Sequence, residues 1–341
     1  MIYFDVTKSG KSRHASGLMR VNRRLAEELG ESIMPVVWGQ WDPREVSPQD
    51  WYLTTEVFDL DKRSGFDRFL TERPCRLAAL FPDAIPLQHP DITWPHSVAR
   101  HPHYMNALAR FEHVFAISAA VKRDLEGFWR WQGNTTDTGV SVLPLGADFD
   151  GSPRRPRREV PPQASLLSVG IVEPRKNQEF LLDVAEALWA EGVDFELNIV
   201  GRVNPHFGRP IADRIKRLAR THSRLHFHEA ASDETFAALL ENTRAVVFPT
   251  IAEGCGLPVL ESLWRGLPCV CSDLPVLREN TDQGGCLTLG VNDLPAWVGG
   301  VKTLLSDDQA WSNLAAAAAE RPLPTWRESA VEVRRRLLRG E

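Results

Sequence analysis

A chain of 341 residues is longer than one hydrophobic core usually serves, so two domains are expected. Hydrophobic residues make up 43% and charged residues 25%, the balance of an ordinary globular protein. The net charge of −5 argues against a dedicated nucleic-acid binder, and no apolar run reaches the ~20 residues that span a bilayer.

The start, MIYFDVTKSG, lacks the basic head and long apolar core of a secretion signal. Five cysteines (Cys75, Cys255, Cys269, Cys271 and Cys286) form no CxxC pair, and an odd number without a leader fits a reducing cytosol. A cytoplasmic protein is expected, with membrane contact peripheral at most. IYFDV reads as a first strand, TKSGKSRHASG as a polar loop, and LMRVNRRLAEELG as a helix. That helix carries Leu18, Val21, Leu25 and Leu29 at helical spacing and stops at Gly30. IMPVVW, CRLAALF and HVFAIS follow as short buried strands. Ser118 is placed to cap the helix AAVKRDLEGFWRW, and SVLPLGAD closes the half.

DFDGSPRRPRREVPPQ is rich in Pro and Arg and nearly free of apolar residues, the composition of a linker. Beyond it the alternation restarts. ASLLSVG, FELNIVG, RLHFHE and AVVFPT are strands, interleaved with the helices NQEFLLDVAEALWAEG, PIADRIKRLARTH and SDETFAALLENT. LPVLESLWRG is a further helix, with Pro258 in its first turn and Gly266 past its end, and PCVCSD reads as the final strand. The expected division is residues 1–150 as a first domain, 151–163 as linker and 164–322 as a second domain. A C-terminal helix over 323–341 would be free to pack back on the first. Alternation on both sides of a linker means two doubly wound parallel-sheet α/β domains, with ligand in the cleft between them at the strands' carboxyl ends.

Three loops in the second half follow strands: VGIVEPRKN, VGR with Gly201, and IAEGCGLP. The first supplies Arg175 and Lys176; the third supplies Glu253, a glycine turn and a helix start, with Glu261 about two turns beyond Glu253. Free amides at a helix start, with a lysine and an arginine, suit a diphosphate without a metal. Carboxylates on either side of it suit hydroxyls, so the pattern fits a nucleotide sugar.

The spacing EGCGLPVLE, with VEPRKN ahead and RGLPCVCSD behind, resembles the retaining glycosyltransferases of family 4, which have the GT-B fold. VLPLGAD, FAISAAVKRDL and the opening strand, loop and helix are similar to further segments of that family. The resemblance implies a hexose or deoxyhexose transferase acting on a glycan or lipid-linked glycan in surface-polysaccharide or glycoconjugate assembly. It implies that Glu253 faces the donor sugar, near the amides of Gly254, Cys255, Gly256 and Leu257. Glu261 would hold the ribose, Lys176 and Arg175 the diphosphate, and Gly17 would let the donor come close in the first loop. No cofactor and no metal are expected.

Two departures stand out. Ile171 occupies the position where many members carry arginine, which would leave Arg175 that charge role. Pro82 precedes Asp83 where related chains carry a His-Asp pair, leaving Asp83 and His89 (or His96) as acceptor-side candidates. Asp83 could equally cap the following turn. Lys176 could be a solvated helix start, and the histidines of HPH and HFH read as structural rather than metal-binding. GKS lacks the preceding glycine of a phosphate loop. The competing functional classes are a non-catalytic nucleotide-sugar binder or regulatory partner and a sugar epimerase. The oligomeric state is left open.

Overall fold

The computed structural model describes residues 1–11, 17–148, 151, 153–154 and 159–338. Loop residue His14 and residues 155–158 of the arginine run lie outside the described residues. The chain forms two compact units, Met1–Gly146 with Pro324–Glu341, and Ala147–Leu323.

In the first unit the strands are β1 (Ile2–Asp5), β2 (Ile33–Val36), β3 (Trp51–Thr54), β4 (Arg76–Phe81), β5 (His113–Ala116) and β6 (Gly139–Val142). They pair in parallel in the order β2-β1-β3-β4-β5-β6. Its helices are α1 (Gly17–Leu29), α2 (Phe66–Glu72), α3 (Ile85–Gln88), α4 (Pro95–Leu108) and α5 (Ala119–Trp131). Val21, Leu25 and Leu29 bury one face of α1. Ser118 caps α5, its hydroxyl accepting from the Val121 amide at 3.1 Å. The core is strongly aromatic, with Tyr52, Phe58, Phe66, Phe81, Tyr104 and Phe111 all out of water. β1 is flanked by β2 on one side and β3 on the other, so the chain reverses its direction of growth between β1 and β3.

The second unit holds β7 (Ser165–Val169), β8 (Glu196–Val200), β9 (Leu225–His228), β10 (Ala245–Phe248), β11 (Cys269–Ser272) and β12 (Cys286–Leu289). Their order is β12-β11-β10-β7-β8-β9, again parallel. Its helices are α6 (Gln178–Ala190), α7 (Gly208–Leu218), α8 (Asp233–Asn242), α9 (Leu257–Trp264), α10 (Pro275–Thr281), α11 (Leu294–Ser306) and α12 (Asp308–Glu320). The expectation that PCVCSD ends the sheet is corrected: β12 pairs with it from Cys269↔Cys286 to Ser272↔Leu289. CLTL is an edge strand of four residues, half-buried with Thr288 exposed, so it never forms the apolar run by which the inner strands announce themselves. Growth runs from β7 outward through β8 and β9, then resumes beyond β7 with β10. The reversal therefore falls between β7 and β10, the crevice where such sheets take their ligands.

One more helix, α13 (Trp326–Leu338), belongs to the first unit and packs on α1. The Arg334 guanidinium donates to the Glu28 carbonyl at 3.0 Å, and the Ser329 hydroxyl to the Pro144 carbonyl at 2.6 Å. Among the described residues no helix is long and apolar enough to cross a membrane.

Candidate active site

The reversal between β7 and β10 brings VEPRKN, which leaves β7, beside TIAEGCGLP, which leaves β10. The two loops are tied together before any side-chain charge is considered. The Ile251 amide donates to the Arg175 carbonyl at 2.9 Å, and the Thr250 hydroxyl donates to the same carbonyl at 3.0 Å. Asn177, in the left-handed conformation at φ 58°, sends its amide nitrogen to the Pro249 carbonyl at 3.0 Å and to Asn292 Oδ1 at 2.8 Å. Asparagine tolerates that backbone region better than most residues, which lets the loop turn directly into α6.

Glu253 sits where the loops meet, with only 8% of its side chain exposed. Its Oε1 accepts from Lys176 Nζ at 2.6 Å, from the Arg175 guanidinium at 3.0 Å and from the Thr250 hydroxyl at 2.7 Å. Burial alone would raise its pKa. The adjacent Lys176 ammonium and Arg175 guanidinium outweigh burial and hold the carboxyl below its usual range. Lys176 itself is pulled down by burial, with Glu253 opposing, and its ammonium lies 4.6 Å from the centre of the Phe248 ring. Arg175 is also held by Glu173 Oε1 at 2.8 Å, while Asn204 donates to the other oxygen of Glu173 at 2.8 Å. The result is a neutral quartet of two cations and two carboxylates, close-packed and directed by hydrogen bonds.

Beside it lies a cradle of unused donors. The backbone amides of Gly254, Cys255, Gly256 and Leu257 donate no hydrogen bond to any described residue, although the first three residues are buried. Buried amides without acceptors are rare in folded proteins, and a run of them at a helix start is an anion site. Gly256 caps α9 with φ +85°, and a Cβ there would lie 2.4 Å from Leu277 Cδ2, so only glycine fits. The turn is braced from behind by Asn280, whose amide donates to the Cys255 carbonyl at 2.6 Å.

The structure thus brings together Arg175, Lys176, Glu253 and the Gly254–Leu257 turn. Glu261 lies half-buried on α9, one turn beyond Leu257. Gly201 directly follows β8, and a Cβ on it would stand 1.8 Å from the Gly170 carbonyl oxygen, so its smallness serves the packing of two loop backbones. Gly17, Asp83 and His89 belong to the first unit. Gly17 is the exposed first residue of α1. Asp83 accepts from the Ile85 amide at 3.1 Å, capping the turn into α3, and His89 is half-buried at the end of α3. The cysteines of β11 are buried, as small core thiols should be.

Sequence reasoning passed over Thr250 and Glu173 and read His101, in HPH, as structural. Thr250 and Glu173 act on Glu253 and Arg175 from within their own loops, three and two residues away. A polar residue ending an apolar strand, as in VVFPT, was the one available sign of the first. His101, buried on α4, bonds through its ring Nε2 to the Asp83 carbonyl at 2.9 Å, so an imidazole does stand against the Asp83 loop, delivered from eighteen residues downstream.

Two six-stranded parallel sheets, the second with its charged loops at the reversal, are the GT-B architecture of glycosyltransferases. Residues 163–307, within the second unit, match the model of the group 1 glycosyl transferases. The chain is 27% identical over 278 residues to the serotype-specific mannosyltransferase WbdA of Escherichia coli, a match that covers 75% of this chain and 33% of WbdA. It is 32% identical over 159 residues to a GDP-mannose-dependent α-(1-6)-phosphatidylinositol dimannoside mannosyltransferase of Mycobacterium tuberculosis, covering 44% of this chain and 40% of that protein. The match thus spans about a third to two-fifths of the length of these relatives. Among solved structures, sucrose-phosphate synthase from Thermosynechococcus elongatus superposes with a TM-score of 0.71 at 17% identity, over 100% of this chain and 99% of that one.

Proposed function

We propose that this chain is a retaining glycosyltransferase that moves a hexose, mannose in the first instance, from a nucleotide-diphosphate sugar to an acceptor hydroxyl. The product would be a bacterial surface polysaccharide or a related glycoconjugate. One observation carries the reading: a buried carboxylate, two cations and four unused amides meet at the β7–β10 reversal. The mannosyl preference rests on the names of the relatives above, and a GDP-linked donor follows from the second of them.

In this reading the diphosphate lies across the Gly254–Leu257 amides and shares the N–H groups of Lys176 and Arg175 that Glu253 does not use. The sugar hydroxyls are within the province of Glu253, and the ribose of Glu261. As the bond from the anomeric carbon to the phosphate oxygen breaks, negative charge grows on the diphosphate and the ring becomes oxocarbenium-like. The fixed amides and cations stabilise that charge without reorganising. The acceptor oxygen attacks from the face the phosphate leaves, and the departing phosphate oxygen takes its proton. Side-chain cations replace a metal in this scheme, so activity should persist in chelator.

The test is transfer from GDP-mannose, UDP-glucose and dTDP-rhamnose, assayed with the native chain and with Lys176→Ala. Loss of one such donor group should slow transfer by on the order of a hundredfold. Undiminished transfer by Lys176→Ala would overturn the assignment of the site.

A further inference from the structure

The first unit has its own reversal point, between β1 and β3, where a second set of charged groups gathers. The loop after β1 supplies Lys8 and Ser9. The segment after β3 supplies Glu56, Val57, Asp59, Lys62 and Arg63. α4 supplies His96 and Arg100, one turn apart on the same face.

Three carboxylates are present, and each is already engaged. Asp5 and Glu56 are buried and both grip Arg63, at 2.6 and 2.8 Å. Glu56 also accepts the amides of Lys8 and Ser9 at 2.7 and 2.8 Å, which fixes the loop. Asp59 is shared by Lys62 at 3.5 Å and His96 at 3.7 Å, which are themselves 3.0 Å apart. Two cations, Lys8 and Arg100, make no ion pair with a carboxylate among the described residues. Lys8 is half-buried and its ammonium donates only to the Val57 carbonyl, while Arg100 makes no hydrogen bond or ion pair with any described residue and its Nε is buried. The Ser9 hydroxyl is likewise buried and without a partner among the described residues. Burial, then Arg100 and Arg63, push the Lys8 pKa down, with Glu56 and Asp59 opposing. At the lip of this region the Trp94 ring is exposed and lies 5.1 Å from that of His96.

Partly buried cations that touch no carboxylate have donors to spare, and a bound anion can take them up. The sheet places Lys8 and Ser9 at its carboxyl edge, at the reversal where doubly wound sheets take phosphates, and α4 brings Arg100. Arg100 lies next to His101, which bonds to the Asp83 carbonyl, so the cluster adjoins the acceptor-side candidate. We propose that the β1–β3 crevice of the first unit binds the phosphate or diphosphate group of an anionic acceptor, through Lys8, Arg100 and the Ser9 hydroxyl. Calling that ligand the acceptor rests on the transferase reading; the anion site itself does not.

The experiment is calorimetric titration of the full chain with inorganic pyrophosphate in a Lys176→Ala background, which weakens the donor site. Lys8→Met and Arg100→Met, chosen to keep the aliphatic packing, are compared with Arg100→Lys, and thermal unfolding confirms that each variant folds. Each Met variant should weaken pyrophosphate on the order of tenfold, as expected for one charge-assisted contact, and Arg100→Lys should recover part of that loss. Binding unchanged within twofold in both Met variants, or no binding at all to the Lys176→Ala chain, overturns the proposal. A companion assay compares transfer to a glycosyl phosphate with transfer to its methyl glycoside. Arg100→Met should raise KM for the phosphate alone; equal losses on both acceptors would also count against the site. Failure of all transfer, with pyrophosphate binding intact and sensitive to Lys8, would instead fault the transferase reading.

Discussion

Glu253 and Lys176 should behave as one unit in stability, and a double-mutant cycle exposes it. Glu253→Gln leaves Lys176, 11% exposed, without its carboxylate, while Arg175 keeps Glu173 at 2.8 Å. Removing one partner of a buried pair costs about 3–5 kcal/mol, and the surviving Thr250 and glutamine dipoles place this case near the lower end. With a urea m-value of about 2 kcal/mol per molar, a loss of ~3 kcal/mol lowers the midpoint of the second unit by roughly 1.5 M. Lys176→Met should cost less, because Glu253 retains Arg175 and Thr250. The double variant leaves no charge orphaned and should recover most of what Glu253→Gln loses, with a coupling on the order of 2 kcal/mol. Urea unfolding followed by fluorescence reads all four corners. Additive losses, with the double variant the least stable, would refute the buried-pair argument. Transfer should be lost in all three variants, so stability and chemistry separate cleanly.

Two further outcomes follow from the same loops. Gly256→Ala forces a Cβ against Leu277 at φ +85°, so it should cost at least 1–2 kcal/mol in unfolding and weaken nucleotide binding, both measurable in one thermal-shift titration. The Glu253 carboxyl has its folded pKa below the ordinary 4.5, so its contribution is fully present above pH 4.5 and disappears as pH falls through the folded value. The difference in stability between the native chain and Glu253→Gln should therefore shrink only at acid pH; a difference that shrinks between pH 6 and 8 would contradict it.

Much of this was readable from the residues, and the failures share a cause. Inner strands such as LLSV and AVVF are nearly continuous apolar runs because helices cover both faces, and they stand out. WYLT is as deeply buried, yet it is only four residues long and follows the polar stretch SPQD, so it does not stand out. α4 contains Pro102, a residue that argues against a helix interior, and the run of alanines in α12 has no polar face to reveal a period. At the site, the residue types Glu253, Lys176, Arg175 and the glycine turn were legible because each has a distinctive chemistry. The convergence of Arg175 and Lys176 on one oxygen of Glu253 was not, since strand order decides which loop ends meet.

The first unit is completed by a helix that lies beyond the whole of the second in sequence. Trp326, Ala330, Val333 and Leu337 bury themselves in it, so the ribosome delivers this piece of the first core only after the second unit has been made. The later-numbered lobe can therefore reach its native state during synthesis while the earlier one waits, a reversal of the usual amino-first order of cotranslational folding.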